Sequence, residues 1–200
     1  MISKTKVIAV AVVNTALCAS VAVAAGPSLF GIELGAKLED IPKCTRNNYG
    51  VIDDRPETLC VHGEAFPFRG QESEAMGYET YLFELPANKP AYLRVLEIYV
   101  LDGKVGSIVA KTGGIDDQEE AFKALRAKFG APRKSNYTPV QNRMGAKFRR
   151  IQADWKVPNA TLFFYGAYAV DAGLIGLESN EFSARRSAAE KQRKKTQLSP

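Results

Sequence analysis

The chain is 200 residues long, 46% hydrophobic and 24% charged, which fits one globular domain and excludes a largely disordered chain, a collagen-like repeat and a multi-span membrane protein. Its 27 basic and 22 acidic residues leave a formal charge of +5, laid out unevenly along the chain.

Met1 to Ala25 carries the three parts of a secretory signal peptide. Lys4 and Lys6 make a positive start, and Val7 to Leu17 is an apolar run broken only by Asn14 and Thr15. Val21-Ala-Val-Ala-Ala25 then supplies the small residues that signal peptidase requires, so cleavage is expected before Gly26. A retained anchor is the competing reading, because Val7 to Ala25 just reaches across a bilayer; the small-residue end favours cleavage. Cys18 is not read as a lipid-bearing cysteine, since Leu17 stands where a small residue is needed. The mature chain is expected to be periplasmic or secreted, with no transmembrane span after processing. Export also separates it from nucleic acid, which is not expected as a partner.

Export changes the reading of the cysteines. Cys18 leaves with the signal, and Cys44 and Cys60 remain as a pair that an oxidising compartment would join. The bond closes a turn-rich loop of about 15 residues, worth roughly 3 kcal/mol in the chain-entropy picture. No metal or cofactor is expected, because His62 is the lone histidine and no Cys-x-x-Cys occurs.

Along the mature chain, Leu34 to Ile41 reads as a brief helix stopped by Pro42, and Thr58 to Val61 as a short strand. Tyr78 to Leu85 alternates, with Tyr81, Phe83 and Leu85 on one face. Leu93 to Leu101 is β-rich, and Asp102-Gly103 joins it to Lys104 to Lys111, with Val105, Ser107 and Val109 in step. This is the strongest hairpin signal in the chain. A helix follows, capped by Asp116 or Asp117 with Glu119 or Glu120 closing a capping box. Phe122, Leu125 and Phe129 lie on one face, and Gly130 and Pro132 end it. Lys147 to Lys156, a turn at Pro158-Asn159, Thr161 to Tyr165 and Gly173 to Ser179 complete the strands. Runs of strands after each helix predict an α+β fold with antiparallel sheet. It would comprise two helix-plus-strand halves, about 26–112 and 113–179, forming one domain over 26–179. The last segment, 180–200, is a basic tail with a thin apolar stripe, expected to dock loosely as a helix capped by Ser179 or Asn180.

Charge is segregated. Residues 26–179 hold 19 basic and 20 acidic residues, and the tail holds six basic and two acidic. Asp53 to Glu84 is mostly acidic, whereas Lys123 to Arg150 contains no acid. Arg133, Lys134, Arg143, Lys147, Arg149 and Arg150 in that stretch are the candidate binding residues. They would steer anionic partners, or the two segments would neutralise each other within the fold.

Phe30-Gly-Ile-Glu-Leu-Gly-Ala-Lys-Leu-Glu-Asp-Ile41 resembles the short helix opener of small exported bacterial domains. Phe122-Lys-Ala-Leu-Arg-Ala-Lys-Phe-Gly-Ala-Pro132 resembles their closer, a helix followed by aromatic-Gly-x-Pro. These are the families of the small lipoprotein of outer-membrane assembly and of the β-lactamase inhibitory protein. The resemblance implies helix-plus-antiparallel-sheet modules that act by binding proteins. The lipoprotein family's lipid-bearing cysteine has no counterpart here.

Catalytic patterns are sparse. Gly103-Lys-Val-Gly-Ser107 is not a nucleophile elbow, and no phosphate-binding glycine loop occurs. Cys60 and His62 would share a strand face, but a thiol site needs Cys60 reduced, which Cys44 opposes. Asp53-Asp54 and Asp116-Asp117 read as turn and cap residues. Phe163, Phe164, Tyr165 and Tyr168 form the densest aromatic group, open to core packing or to a small surface patch, with core packing favoured. The expectation is an exported, non-enzymatic interaction module that binds an envelope protein or assembly partner through a sheet face. The alternative is a binder of anionic envelope surfaces such as lipid head groups, lipopolysaccharide or cell-wall polymer. A hydrolase of unrecognised type is the third reading.

Overall fold

The computed structural model describes residues 26–48, 56–66, 71–141 and 144–197; the expected signal peptide, Asp53, Asp54 and Arg143 lie outside the described residues. The chain opens with a small ladder, β1 (Ser28–Leu29) on β2 (Ile32–Glu33), turned through Phe30 and Gly31, both at positive φ. The helix expected over Leu34 to Ile41 shrinks to one 3-10 turn at Leu38–Asp40. Gly35 has φ +84°, its N–H donates to the Val105 carbonyl, and Leu38 N–H donates to the Gly103 carbonyl. Those backbone groups are committed to a neighbouring strand, so no helical ladder can form.

The remaining elements are β3 (Cys60–Val61), α1 (Gln71–Met76), β4 (Glu79–Glu84), β5 (Leu93–Leu101), β6 (Lys104–Thr112), α2 (Gln118–Phe129), β7 (Lys134–Gln141), β8 (Lys147–Val157), β9 (Ala160–Ala169), β10 (Ala172–Ser179) and α3 (Asn180–Gln197). β3 to β10 form one eight-stranded antiparallel sheet ordered β3-β4-β5-β6-β10-β9-β8-β7. The fold is α+β and mainly sheet. Asp102 and Gly103 both take positive φ, 52° and 75°, as the two-residue hairpin between β5 and β6 requires. Cys44 and Cys60 are disulfide-bonded, with Cα atoms 4.9 Å apart.

The main core lies between one side of the sheet and α2. Phe122 stacks on Phe164 with ring centroids 6.0 Å apart and leans on Trp155, whose indole N–H donates to the Gly130 carbonyl. Leu125 and Ala121 are buried beside them, as the spacing predicts, and Gly130 ends the helix at φ 77°. Burying each such large apolar side chain contributes about 1.5–3 kcal/mol. The expected capping box does not form. Asp117 is the N-cap residue, but its carboxylate accepts from Gly113 N–H and Arg94, each at 2.9 Å, and makes no cap bond. It fastens the loop entering α2 instead.

Three further corrections bear on the site. Val105 is not in step with Ser107 and Val109: Tyr99 faces Ser107 while Val100 faces Val105, so Gly106 is bulged out. Val105 therefore enters the main core and Val109 points to the opposite side. Strand β7 was not expected, because Lys-Ser-Asn-Tyr-Thr-Pro-Val-Gln lacks alternation and contains Pro139. As an edge strand it needs only one partner, which tolerates the proline. The basic tail is docked firmly at its start. Phe182 is 1% exposed among Tyr78, Tyr99, Met76 and Leu101, and Ser179 Oγ accepts from Phe182 N–H as the helix cap. No described helix is long and apolar enough to cross a membrane.

Candidate functional site

The sheet has two sides, and they are covered unequally. The register carries one row of residues across the side opposite α2: Leu82 faces Glu97, Glu97 faces Val109, Val109 faces Gly176, and Gly176 faces Phe163. The same row continues from Phe163 through Asp154 to Lys134. The next row runs Val95, Lys111, Leu174, Tyr165, Gln152 and Asn136. A third row, Thr80, Tyr99, Ser107, Glu178, Thr161 and Lys156, lies where α3 begins.

α3 covers the middle of that third row, at Ser107 and Glu178, and leaves its Lys156 end exposed. Arg186 donates both guanidinium nitrogens to Glu178, and Ser183 Oγ donates to the same carboxylate at 3.0 Å. The helix then continues past α1 beside the first half of the sheet. Over the other two rows, Leu82, Val95, Val109, Phe163, Tyr165 and Leu174 belong to neither hydrophobic core cluster. Tyr165 is 42% exposed and its ring lies 5.7 Å from that of Phe163. Phe163 in turn lies over Gly176, where a Cβ would collide with its ring. A sheet buries its second face fully only if another layer packs there. On these two rows Val109 and Glu97 are buried, Leu82 shares a hollow with Arg46, Ala65 and Phe66, and Val95, Phe163 and Leu174 are only half-buried beside the exposed Tyr165.

The polar groups on this face are already organised. Glu97 is buried, accepts from Tyr99 O–H at 3.1 Å and pairs with Lys111 at 3.4 Å. Asp154 pairs with Arg133 at 2.7 Å. Its acids therefore carry partners, whereas Lys134, across from Asp154, and Lys156, across from Thr161, stand exposed with no ion partner among the described residues.

The five expected binding residues that are described, Arg133, Lys134, Lys147, Arg149 and Arg150, do not form one patch. Arg133 is tied to Asp154, and Lys134 starts the edge strand. By register Lys147 and Arg149 lie on the α2 side of the β7–β8 ribbon, with the Arg149 guanidinium 4.6 Å from the Tyr137 ring centroid. Arg150 faces the opposite side, across from Thr138, and its Nε is buried without a hydrogen-bond partner. The basic tail is far from this ribbon, since α3 reaches across to α1 and β7 is the opposite edge of the sheet. The aromatic group is split as well: Phe164 is core, Phe163 and Tyr165 face the uncovered side, and Tyr168 is exposed. Leu82, Val95, Leu174 and Lys156 were not anticipated. The available signal was Leu162 to Tyr165, four consecutive bulky apolar or aromatic residues in a strand, which puts apolar surface on both faces.

Cys60 is in the disulfide and His62 bonds Glu84 at 2.9 Å, so the two do not form a thiol site. No group of three or more potential metal ligands occurs among the described residues. No family model, curated protein or solved structure matches the chain, so the site stands on its own residues.

Proposed function

We propose that the protein is an exported, non-enzymatic interaction module of the bacterial envelope that holds a protein partner on the α3 side of its sheet. In this reading Met1 to Ala25 is a signal peptide, and the mature chain is two helix-plus-strand halves whose last strands, β6 and β10, pair at the centre. The resemblance of Phe30 to Ile41 and Phe122 to Pro132 to small exported modules agrees with it. The observation that carries the reading is the pair of sheet rows holding Leu82, Val95, Leu174, Phe163 and Tyr165 outside either core cluster. Contiguous apolar surface rimmed by polar groups is the usual mark of a protein-binding face.

The test is capture of envelope proteins by the mature chain at high salt, with Tyr165→Ser alongside. Retention by the parent and loss by the variant is the expected result. Equal retention by both would remove the sheet face from function.

A second reading, attachment to anionic envelope surfaces, is favoured by the β7–β8 ribbon, where Lys147 and Arg149 stand exposed. It predicts binding to anionic vesicles that salt abolishes, because exposed charge contacts are screened. The separation of ribbon and tail counts against one continuous cationic surface.

A further inference from the structure

The charge pattern of the uncovered face specifies the partner beyond "a protein". We infer that the face takes a polypeptide segment with apolar side chains in its centre and carboxylates along one flank; this rests on the binding-face reading above. The apolar part, Leu174, Phe163 and Tyr165, lies on β10 and β9. Beyond it on β8 come Gln152 and Asp154, the latter held by Arg133. Next to Asp154 stand Lys134, its partner on the edge strand, and Lys156, two residues along β8, both exposed and both on the same side of the sheet by register. The acids that would repel a carboxylate are occupied: Glu97 by Lys111 and Tyr99, Asp154 by Arg133, and Glu178 by Arg186. An incoming basic segment would have to break those pairs, whereas an acidic one meets cations with no pair to break. Discrimination of this kind comes from arranging like charge against the wrong partner and opposite charge toward the right one.

The experiment uses the mature chain and three synthetic peptides that share alternating leucine and tyrosine positions. The intervening residues are glutamate, serine or lysine. Binding is read by fluorescence anisotropy and mapped by amide chemical-shift changes. The acidic peptide should bind about tenfold more tightly than the lysine peptide, the sum of a few exposed ion pairs, and should move the amides of Phe163, Tyr165 and Leu174. Lys134→Glu with Lys156→Glu, two exposed positions that leave the core untouched, should reverse the order of the acidic and lysine peptides.

Equal binding of all three peptides on this face overturns the acidic preference and leaves the binding-face reading standing. Shifts absent from the face with every peptide overturn both. Self-association of the chain mapped to Tyr165, or vesicle binding that protects the same amides, would assign the face to a second copy or to lipid and overturn the inference.

Discussion

Gly106 lacks a side chain where the Phe182 ring needs the room: a Cβ on Gly106 would lie 2.6 Å from Cδ2 of Phe182. The bulge in β6 and the first turn of α3 are thus one packing unit, and the tail divides into an anchored start and a solvated end. Phe182→Ala should cost about 3–5 kcal/mol, the usual loss for a buried phenylalanine. Removing 180–200 should lower the melting temperature strongly, and removing 190–200 should leave it nearly unchanged. Urea denaturation of the three variants checks this; equal stability of the two truncations would contradict it.

Gln118 is buried at the start of α2 and spans to the ribbon, its amide donating to the Arg149 carbonyl at 2.7 Å and accepting from Ile151 N–H at 3.0 Å. Gln118→Ala orphans both backbone groups and should cost about 1–3 kcal/mol for each left dry. Amide exchange of Ile151 should accelerate in the variant. Unchanged protection there would show that the strand holds itself.

The Cys44–Cys60 bond closes a separation of 16 residues. Its reduction should lower stability by about 3 kcal/mol, and unreduced denatured mature protein should show no free thiol. Two labelled thiols would refute the staple.

Alkaline pH should destabilise the fold through Tyr81 and Tyr92. Burial raises the pKa of both phenols above the ordinary 10.0. A hydrogen bond to Glu79 adds to the effect at Tyr81, and the charge of Glu120 adds to it at Tyr92. The unfolded chain therefore releases these protons first, so the stability present below about pH 10 is lost as pH rises through the folded values. Tyr92→Phe should flatten the alkaline limb of a stability–pH curve. A limb identical to the parent's would exclude Tyr92 as a cause.

Intact-mass analysis of exported protein should find a chain starting at Gly26 or within a residue or two. A mass that includes Met1 to Ala25 would reject the signal-peptide reading.

Local patterns carried much of the fold. β5 was legible end to end because Leu93 to Leu101 is β-rich and Asp102-Gly103 admits only a tight turn. α2 was legible from Phe122, Leu125 and Phe129, and its end from Gly130. The failures came where a distant contact outweighs the local preference. Leu34 to Ile41 has helical spacing, yet Gly35 N–H bonds Val105 of β6 and Leu38 N–H bonds Gly103 in the turn before it. β7 has no alternation, yet β8 supplies a full ladder from Lys134 to Gln141. The basic stretch was visible as composition, but the register alone sends Arg149 and Arg150 to opposite sides and gives Arg133 to Asp154.

By itself, the sequence determined the α+β class, the hairpin at Asp102-Gly103 and the pairing of Cys44 with Cys60, because each depends on residues close in the chain. Tertiary structure alone decided which side of the sheet stays uncovered. That choice depends on where α2 and α3 land, on the bulge at Gly106, and on β10 inserting beside β6 from far along the chain: Gly173 faces Thr112 and Glu178 faces Ser107, separations of 61 and 71 residues. Side-chain alternation fixes that Phe163 and Phe164 point oppositely; only the placement of the helices decides that Phe164 is core and Phe163 half-buried on the other side.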